Sequence, residues 1–161
     1  ESTRRIFEAI PGRVLFSYVA EDLGGQQSLL MSKEHMHRFL FPQMKRMMDL
    51  VHSAGAYVFH HSDGAIREVI PDLIELGIDL LNPIQWRCAG MEREGLKRDF
   101  GDQVIFHGGV DNQYTLARGT VEEVRAEVLD NIRILGEGGG YILAPCHNIQ
   151  VVSPAENIVA M

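Results

Sequence analysis

The 161-residue sequence predicts an α/β fold built on a parallel sheet. Three observations predict it. Short apolar runs alternate with longer stretches whose apolar residues recur every three or four positions. Glycine and proline punctuate the junctions between the two kinds of stretch. The short runs end in polar or ionisable residues, and repeated strand and helix folds place their sites at those carboxyl ends.

Taken in order, residues 1 to 10 read as the tail of a helix, with Ile6, Phe7 and Ile10 at helical spacing before Pro11-Gly12. Val14 to Val19 is the first strand, ending at Glu21-Asp22 and a loop that contains Gly24-Gly25. After Ser32 an amphipathic helix repeats Met36, Phe39, Leu40, Met44, Met47, Met48 and Val51 on one face, with Pro42 as a candidate kink and Ala54-Gly55 as its end. Tyr57, Val58 and Phe59 form a strand expected to be buried on both faces, which stops at His60, His61, Asp63 and Gly64. A second helix carries Ile66, Val69, Ile70, Leu73 and Ile74 to Gly77, a glycine suited to a left-handed cap.

Ile78 to Leu81 is the next strand, followed by Asn82, Pro83, Gln85 and Trp86, and residues 91 to 100 form a short polar helix. Val104 to Phe106 leads into His107, Asp111 and Gln113. Thr120 with Glu123 is a capping box opening a helix whose buried face is Val124, Val128, Ile132 and Leu135, up to Gly136. Tyr141 to Ala144 is the fifth strand and ends at Pro145, Cys146 and His147. Ser153-Pro154-Ala-Glu156 reads as a second capping box, with proline at the first helical position.

Five strands each followed by a helix call for right-handed crossovers and a sheet covered on both faces. The expectation is one domain over 1–161, with no linker, forming the larger part of a barrel whose beginning lies outside the sequence. The alternative is a complete doubly wound domain, against which no glycine cluster has GxGxxG spacing after a strand. A formal charge of -7 with scattered Lys and Arg argues against a nucleic-acid surface. No apolar run approaches the roughly 20 residues that span a bilayer, no apolar stretch of the signal-peptide kind follows Arg4-Arg5, and two cysteines without CxxC spacing fit free thiols in the cytoplasm.

If the strands are parallel neighbours, their ends converge on one rim. His61 and Asp63 could then both reach a metal, with Cys146 or His147 completing a set of ligands of the types zinc takes. The plainer alternative has Asp63 capping the helix that begins near Ala65. Glu21 and Asp22 are either an acid and base pair, whose pKa values a shared cleft would push apart, or solvated loop carboxylates. Gln85, Trp86, His107 and Asp111 are candidate substrate contacts, although Asp111 could instead brace its turn.

Together these stretches resemble a known family. Glu21-Asp22-Leu-Gly24, His61-Ser-Asp-Gly64, Gly108-Gly-Val-Asp111, Gly119-Thr-Val-Glu-Glu-Val124, Gly138-Gly-Gly-Tyr-Ile142 and Pro154-Ala-Glu-Asn157 follow the order and spacing of the uroporphyrinogen decarboxylase superfamily, in its carboxyl-terminal half. The resemblance implies a TIM (β/α)8 barrel of which this chain supplies the last five βα units. It implies one of two chemistries: carboxyl loss from a tetrapyrrole without cofactor, or zinc-assisted methyl transfer with a corrinoid carried by a partner protein. In the thiol-activating branch the zinc ligands are a His-x-Cys and a later Cys; here Asp63 replaces the first cysteine, and the second falls on His147 beside Cys146. The expected activity is the corrinoid-linked methyltransferase, with metal at His61, Asp63, His147 or Cys146 and proton handling by Glu21, Asp22 and His147. The alternatives are a cofactor-free carboxy-lyase and a non-catalytic fragment or pseudoenzyme. Expected partners are a small-molecule methyl donor or a tetrapyrrole, the corrinoid protein, and the amino-terminal part of the barrel or a second copy of the chain.

Overall fold

A computed structural model describes all residues, 1–161. Its elements follow the chain as α1 (Ser2–Ala9), β1 (Phe16–Ala20), α2 (Lys33–His35), a π-helical turn (Met36–Leu40), α3 (Phe41–Ser53), β2 (Tyr57–His61), a 3-10 turn (Arg67–Val69), α4 (Ile70–Leu76), β3 (Leu80–Asn82), α5 (Arg93–Phe100), β4 (Ile105–Val110), α6 (Thr115–Arg118), α7 (Val121–Leu135), β5 (Tyr141–Pro145) and α8 (Ala155–Ala160). The five strands form one sheet in the order β1-β2-β3-β4-β5, and every pairing is parallel. A doubly wound sheet reverses its strand order at a switch point. This one grows in a single direction, as barrel strands do, and the chain forms five βα units of a TIM barrel.

Strand alternation sorts the side chains onto two faces. Val19, Val58, His60, Leu81 and Phe106 lie under the helical layer and are buried among Met36, Met44, Met48, Val51, Ile70 and Leu73. Phe16, Tyr18, Tyr57, Ile105 and Ile142 point to the other face, which would be the interior of a closed barrel and which no element of this chain covers. The expected two-sided burial of β2 therefore fails at Tyr57, 53% exposed, while Phe59 is buried on the same face by the rings of Phe16, Tyr18 and His107.

The helix after Ser32 is regular only from Phe41 onward. In the π-helical turn the Phe41 N–H reaches back five residues to Met36 O, and Pro42 sits in the first turn of α3. The extra residue rotates the helical face, so Phe39 faces solvent while Met36, Met44 and Met48 stay in the core. Gly77 takes the left-handed conformation expected of it, with φ of +107°. On α7 the buried row is Val124, Glu127, Val128, Asn131, Ile134 and Leu135, so the expected Ile132 is turned outward.

The first capping box is present: Thr120 Oγ1 accepts from Glu123 N and Glu123 Oε2 accepts from Thr120 N. Replacing Thr120 by alanine is expected to cost about 1 kcal/mol in urea denaturation of the full-length protein. The second capping box is absent. Pro154 itself is the N-cap of α8, no side chain caps the helix, and Ser153 Oγ is buried without a partner. A helix starting one residue later moves Ser153 out of capping reach.

Candidate functional site

Two glycine turns bring the first candidates together. β1 runs beside β2 with Ala20 opposite His61, and Glu21 N donates to His61 O, so the two chains leave the sheet side by side. Gly64 has φ of +90°, and a Cβ on it would lie 2.3 Å from Gly24 O. Only glycine permits that approach. Ala65 N donates to Gly25 O, Leu23 N to Ser62 Oγ, and Asp63 N to Asp22 Oδ1 at 3.1 Å. As a result a ligating atom from each of Asp22, His61 and Asp63 lies within 4.8 Å of the others.

The state of His61 is set by its neighbour. His61 Nδ1 lies 2.6 Å from Asn82 Oδ1, an atom that can only accept, so Nδ1 carries the proton and the Nε2 lone pair is left free. Nε2 lies 3.8 Å from Asp22 Oδ1. Asn82 Nδ2 in turn donates to His107 Nδ1 at 2.7 Å, and burial lowers the His107 pKa, in keeping with a neutral ring that accepts. Burial also raises the Asp63 pKa, against the pull of His61, and Asp63 Oδ1 is shut off from solvent with no hydrogen-bond partner. Asp63 is not an N-cap, because the next helical turn starts at Arg67 with Ile66 as its uncapped lead residue.

Two clefts meet at this cluster. The inner one, about 620 Å³, is bordered by Tyr18, His61, Asn82, His107, Cys146 and His147; the outer one, about 480 Å³, is bordered by Asp63, Gln85 and His147 among others. His147 is exposed and borders both, placing it at the rim rather than in the group of converging ligands. Cys146 is buried, its Sγ donates to Ile84 O at 3.2 Å, and burial pushes its thiol pKa up, so it stays protonated. Glu21 is exposed beyond the end of β1 and stands outside the cluster that Asp22 joins.

The remaining candidates brace the rim. Gln85 Oε1 accepts from Gly64 N at 2.6 Å and holds the turn that carries Asp63. Trp86 donates Nε1–H to Gly109 O, lies between the guanidinium groups of Arg87 and Arg93, and borders neither cleft. Asp111 is buried and accepts from the backbone of Gln113, Tyr114 and Thr115 and from Arg87. Sequence reasoning missed Asn82 as the residue that orients His61, and Glu127 as the buried carboxylate under Asp111 N and Thr115 Oγ1. Asn82 is in register with His61, and Glu127 interrupts the apolar row of α7; these were the available signals.

The family model described as Uroporphyrinogen decarboxylase (URO-D) matches residues 21–161. A methylcobamide:CoM methyltransferase, MtaA, from Methanosarcina barkeri (strain Fusaro / DSM 804) is 27% identical over 132 residues, covering 82% of this chain and 36% of that protein. A uroporphyrinogen decarboxylase from Anaeromyxobacter dehalogenans (strain 2CP-C) is 28% identical over 131 residues, covering 81% of this chain and 36% of that protein. The chain thus spans about a third of the length of the curated relatives it matches. Among solved structures, a methyltransferase from Methanosarcina mazei superposes with a TM-score of 0.68 at 23% identity, over 91% of this chain and 40% of that one.

Proposed function

The chain belongs to the uroporphyrinogen decarboxylase family, and from that premise we propose that it serves zinc-assisted methyl transfer between a corrinoid carried by a partner protein and a small-molecule acceptor. The observation that carries this reading is the free Nε2 of His61, held beside the carboxylates of Asp22 and Asp63 by the Asn82 hydrogen bond on the opposite ring nitrogen. Metal-binding histidines characteristically donate their second N–H to such an oxygen. One imidazole and two carboxylates, with Asp63 Oδ1 lacking any donor within the chain, suit a catalytic zinc that keeps a position open for substrate. The likeness to the M. barkeri methyltransferase supports the methyl-transfer side of the family.

Bound there, zinc would supply Lewis acidity that lowers the pKa of a thiol or hydroxyl acceptor. The donor set differs from the His-x-Cys and Cys pattern of the thiol-activating branch in having no thiolate, since Asp63 is a carboxylate and Cys146 remains a thiol directed at Ile84 O. Carboxylates donate less electron density than thiolates, which leaves the metal the stronger acid and favours harder acceptors. Around it His61 is fixed by Asn82, Asp63 by the Gly64 turn on Gln85, and His147 stands at the rim of both clefts where it can take the acceptor's proton. His107 and Tyr18 form part of the wall of the inner cleft against the substrate.

The second reading is cofactor-free carboxyl loss, favoured by the A. dehalogenans relative. One experiment separates them. Purified full-length protein is analysed for metal, then incubated with methylcobamide and a thiol or phenol acceptor, and separately with a carboxylated tetrapyrrole. The expected result is about one zinc per chain and methyl transfer. Carbon dioxide release by metal-free protein, with no methyl transfer, would establish the decarboxylase instead.

A further inference from the structure

Asn82 couples the states of two histidines. Its side chain bonds to both rings and to nothing else, with Oδ1 2.6 Å from His61 Nδ1 and Nδ2 2.7 Å from His107 Nδ1. An amide has one accepting end and one donating end. Between two neutral rings it therefore demands a proton on one Nδ1 and a bare Nδ1 on the other, so the rings hold opposite tautomers. His61 carries its proton on Nδ1 and keeps a lone pair at Nε2. His107 accepts at Nδ1 and carries its proton on Nε2.

The surroundings of His107 hold it in that form. Phe59 meets the ring edge to face, with centroids 4.9 Å apart at 68°, and burial lowers the His107 pKa, which opposes a second proton. A proton on Nδ1 would also point at the Asn82 amide hydrogens. The Nε2–H bonds to no group of the chain, and unlike His60 Nε2 it is not sealed from solvent. His107 follows the buried Phe106 on β4 and so lies on the opposite face of the sheet, where it borders the inner cleft of about 620 Å³. No Asp, Glu, Lys or Arg borders that cleft. Apolar surface comes from Ala20, Ala144, Pro145 and Ile149, and from the Tyr18 ring, 54% exposed and stacked on Phe59 at 4.5 Å.

We infer that His107 Nε2–H is the hydrogen-bond donor for an uncharged oxygen of the substrate, a carbonyl or ether oxygen that can only accept, carried on a flat apolar body in the inner cleft. A neutral imidazole polarises such an oxygen without placing a charge beside it. An anionic group would find no lysine or arginine in this cleft, and an ammonium would meet the N–H with no carboxylate to receive it. The inference names the substrate class for the site of the proposed methyl transfer and rests on that reading only for what happens to the ligand once bound. The donor itself is set by the chain's own hydrogen bonds.

The test uses full-length protein, with and without added zinc, and two pairs of probes: acetophenone against α-methylstyrene, and anisole against ethylbenzene. In each pair a carbon group of similar shape replaces the oxygen. Titration followed by NMR is expected to show the oxygen probe binding about 2–10-fold more tightly, the worth of one neutral hydrogen bond. His107→Phe is expected to erase the preference. His107→Gln, whose amide can accept from Asn82 and donate to the cleft, should restore part of it. Nitrogen-15 NMR of histidine-labelled protein reads the ring directly and should place the His107 proton on Nε2. A preference in one pair alone supports the donor and assigns the oxygen to a carbonyl or an ether. Equal affinities within both pairs, no binding of any probe, or a His107 proton on Nδ1 would overturn the inference. Failure of the protein to take up zinc, with the oxygen preference intact, would sink the metal reading and leave His107 as the donor; zinc bound without the preference would do the reverse.

Discussion

Full-length protein carrying His61→Ala is expected to lose its zinc and to transfer methyl groups more slowly by over about 100-fold, a floor set by what loss of supporting residues alone costs a metal site. His61 is the sole nitrogen ligand of the cluster, and its Nε2 is free because Asn82 Oδ1 occupies Nδ1–H. Alanine also strips Asn82 Oδ1 of its donor, at about 1–3 kcal/mol if that oxygen stays dry. A second variant therefore separates chemistry from folding. Asn82→Leu keeps the imidazole but removes the bond that fixes its tautomer, and should weaken zinc affinity about 10–100-fold. Metal analysis after dialysis and the methyl-transfer assay read both. Full zinc occupancy and an undiminished rate in His61→Ala would refute the metal reading.

The strand order, the glycine turns and the rim positions of His61, Asp63, His107 and His147 were legible because each depends on local pattern: apolar runs, breakers and the residues just after them. Asp22 was legible as a strand-end carboxylate but not as a neighbour of Asp63. That depends on Gly24 and Gly64 packing backbone to backbone across 40 residues of chain, which no local period encodes. Trp86 and Asp111 had the residue types of a binding site and turned out to brace the rim, since their partners Gly109, Arg87 and the amides after Asp111 are fixed only by the tertiary fold. The exposure of Tyr57 had the same origin. Hydrophobicity marks a residue for burial without specifying whether this chain supplies the cover.

The pair His60-His61 illustrates how a one-residue step on a strand changes chemistry, and it yields the second large effect. His61 faces the inner cleft, whereas His60 faces the helices, fully buried, with Nδ1–H donating to Val19 O at 2.8 Å and Nε2 sealed without a partner. A protonated ring would bury a charge and an N–H with no acceptor. Burial accordingly lowers its pKa to about 4, with His61 acting in the same direction and the Val19 carbonyl and Asp22 opposing. In the unfolded chain a histidine titrates near 6.5. Above that pH neither state binds the proton and His60 leaves stability unchanged with pH. Between pH 6.5 and 4 the unfolded state binds a proton that the folded state refuses, so stability falls by about 1.4 kcal/mol per pH unit, some 3 kcal/mol in all. Urea denaturation of full-length wild type and His60→Asn at pH 7.5, 6 and 5 measures this. Asparagine can still donate to Val19 O but does not titrate, so the variant should start less stable at pH 7.5, because the smaller side chain leaves a cavity, and then lose stability less steeply on acidification. The carboxylates titrate alike in both proteins, and their difference isolates His60. Parallel pH profiles would mean that the ring takes up its proton in the folded state, by opening of the helical layer over β2.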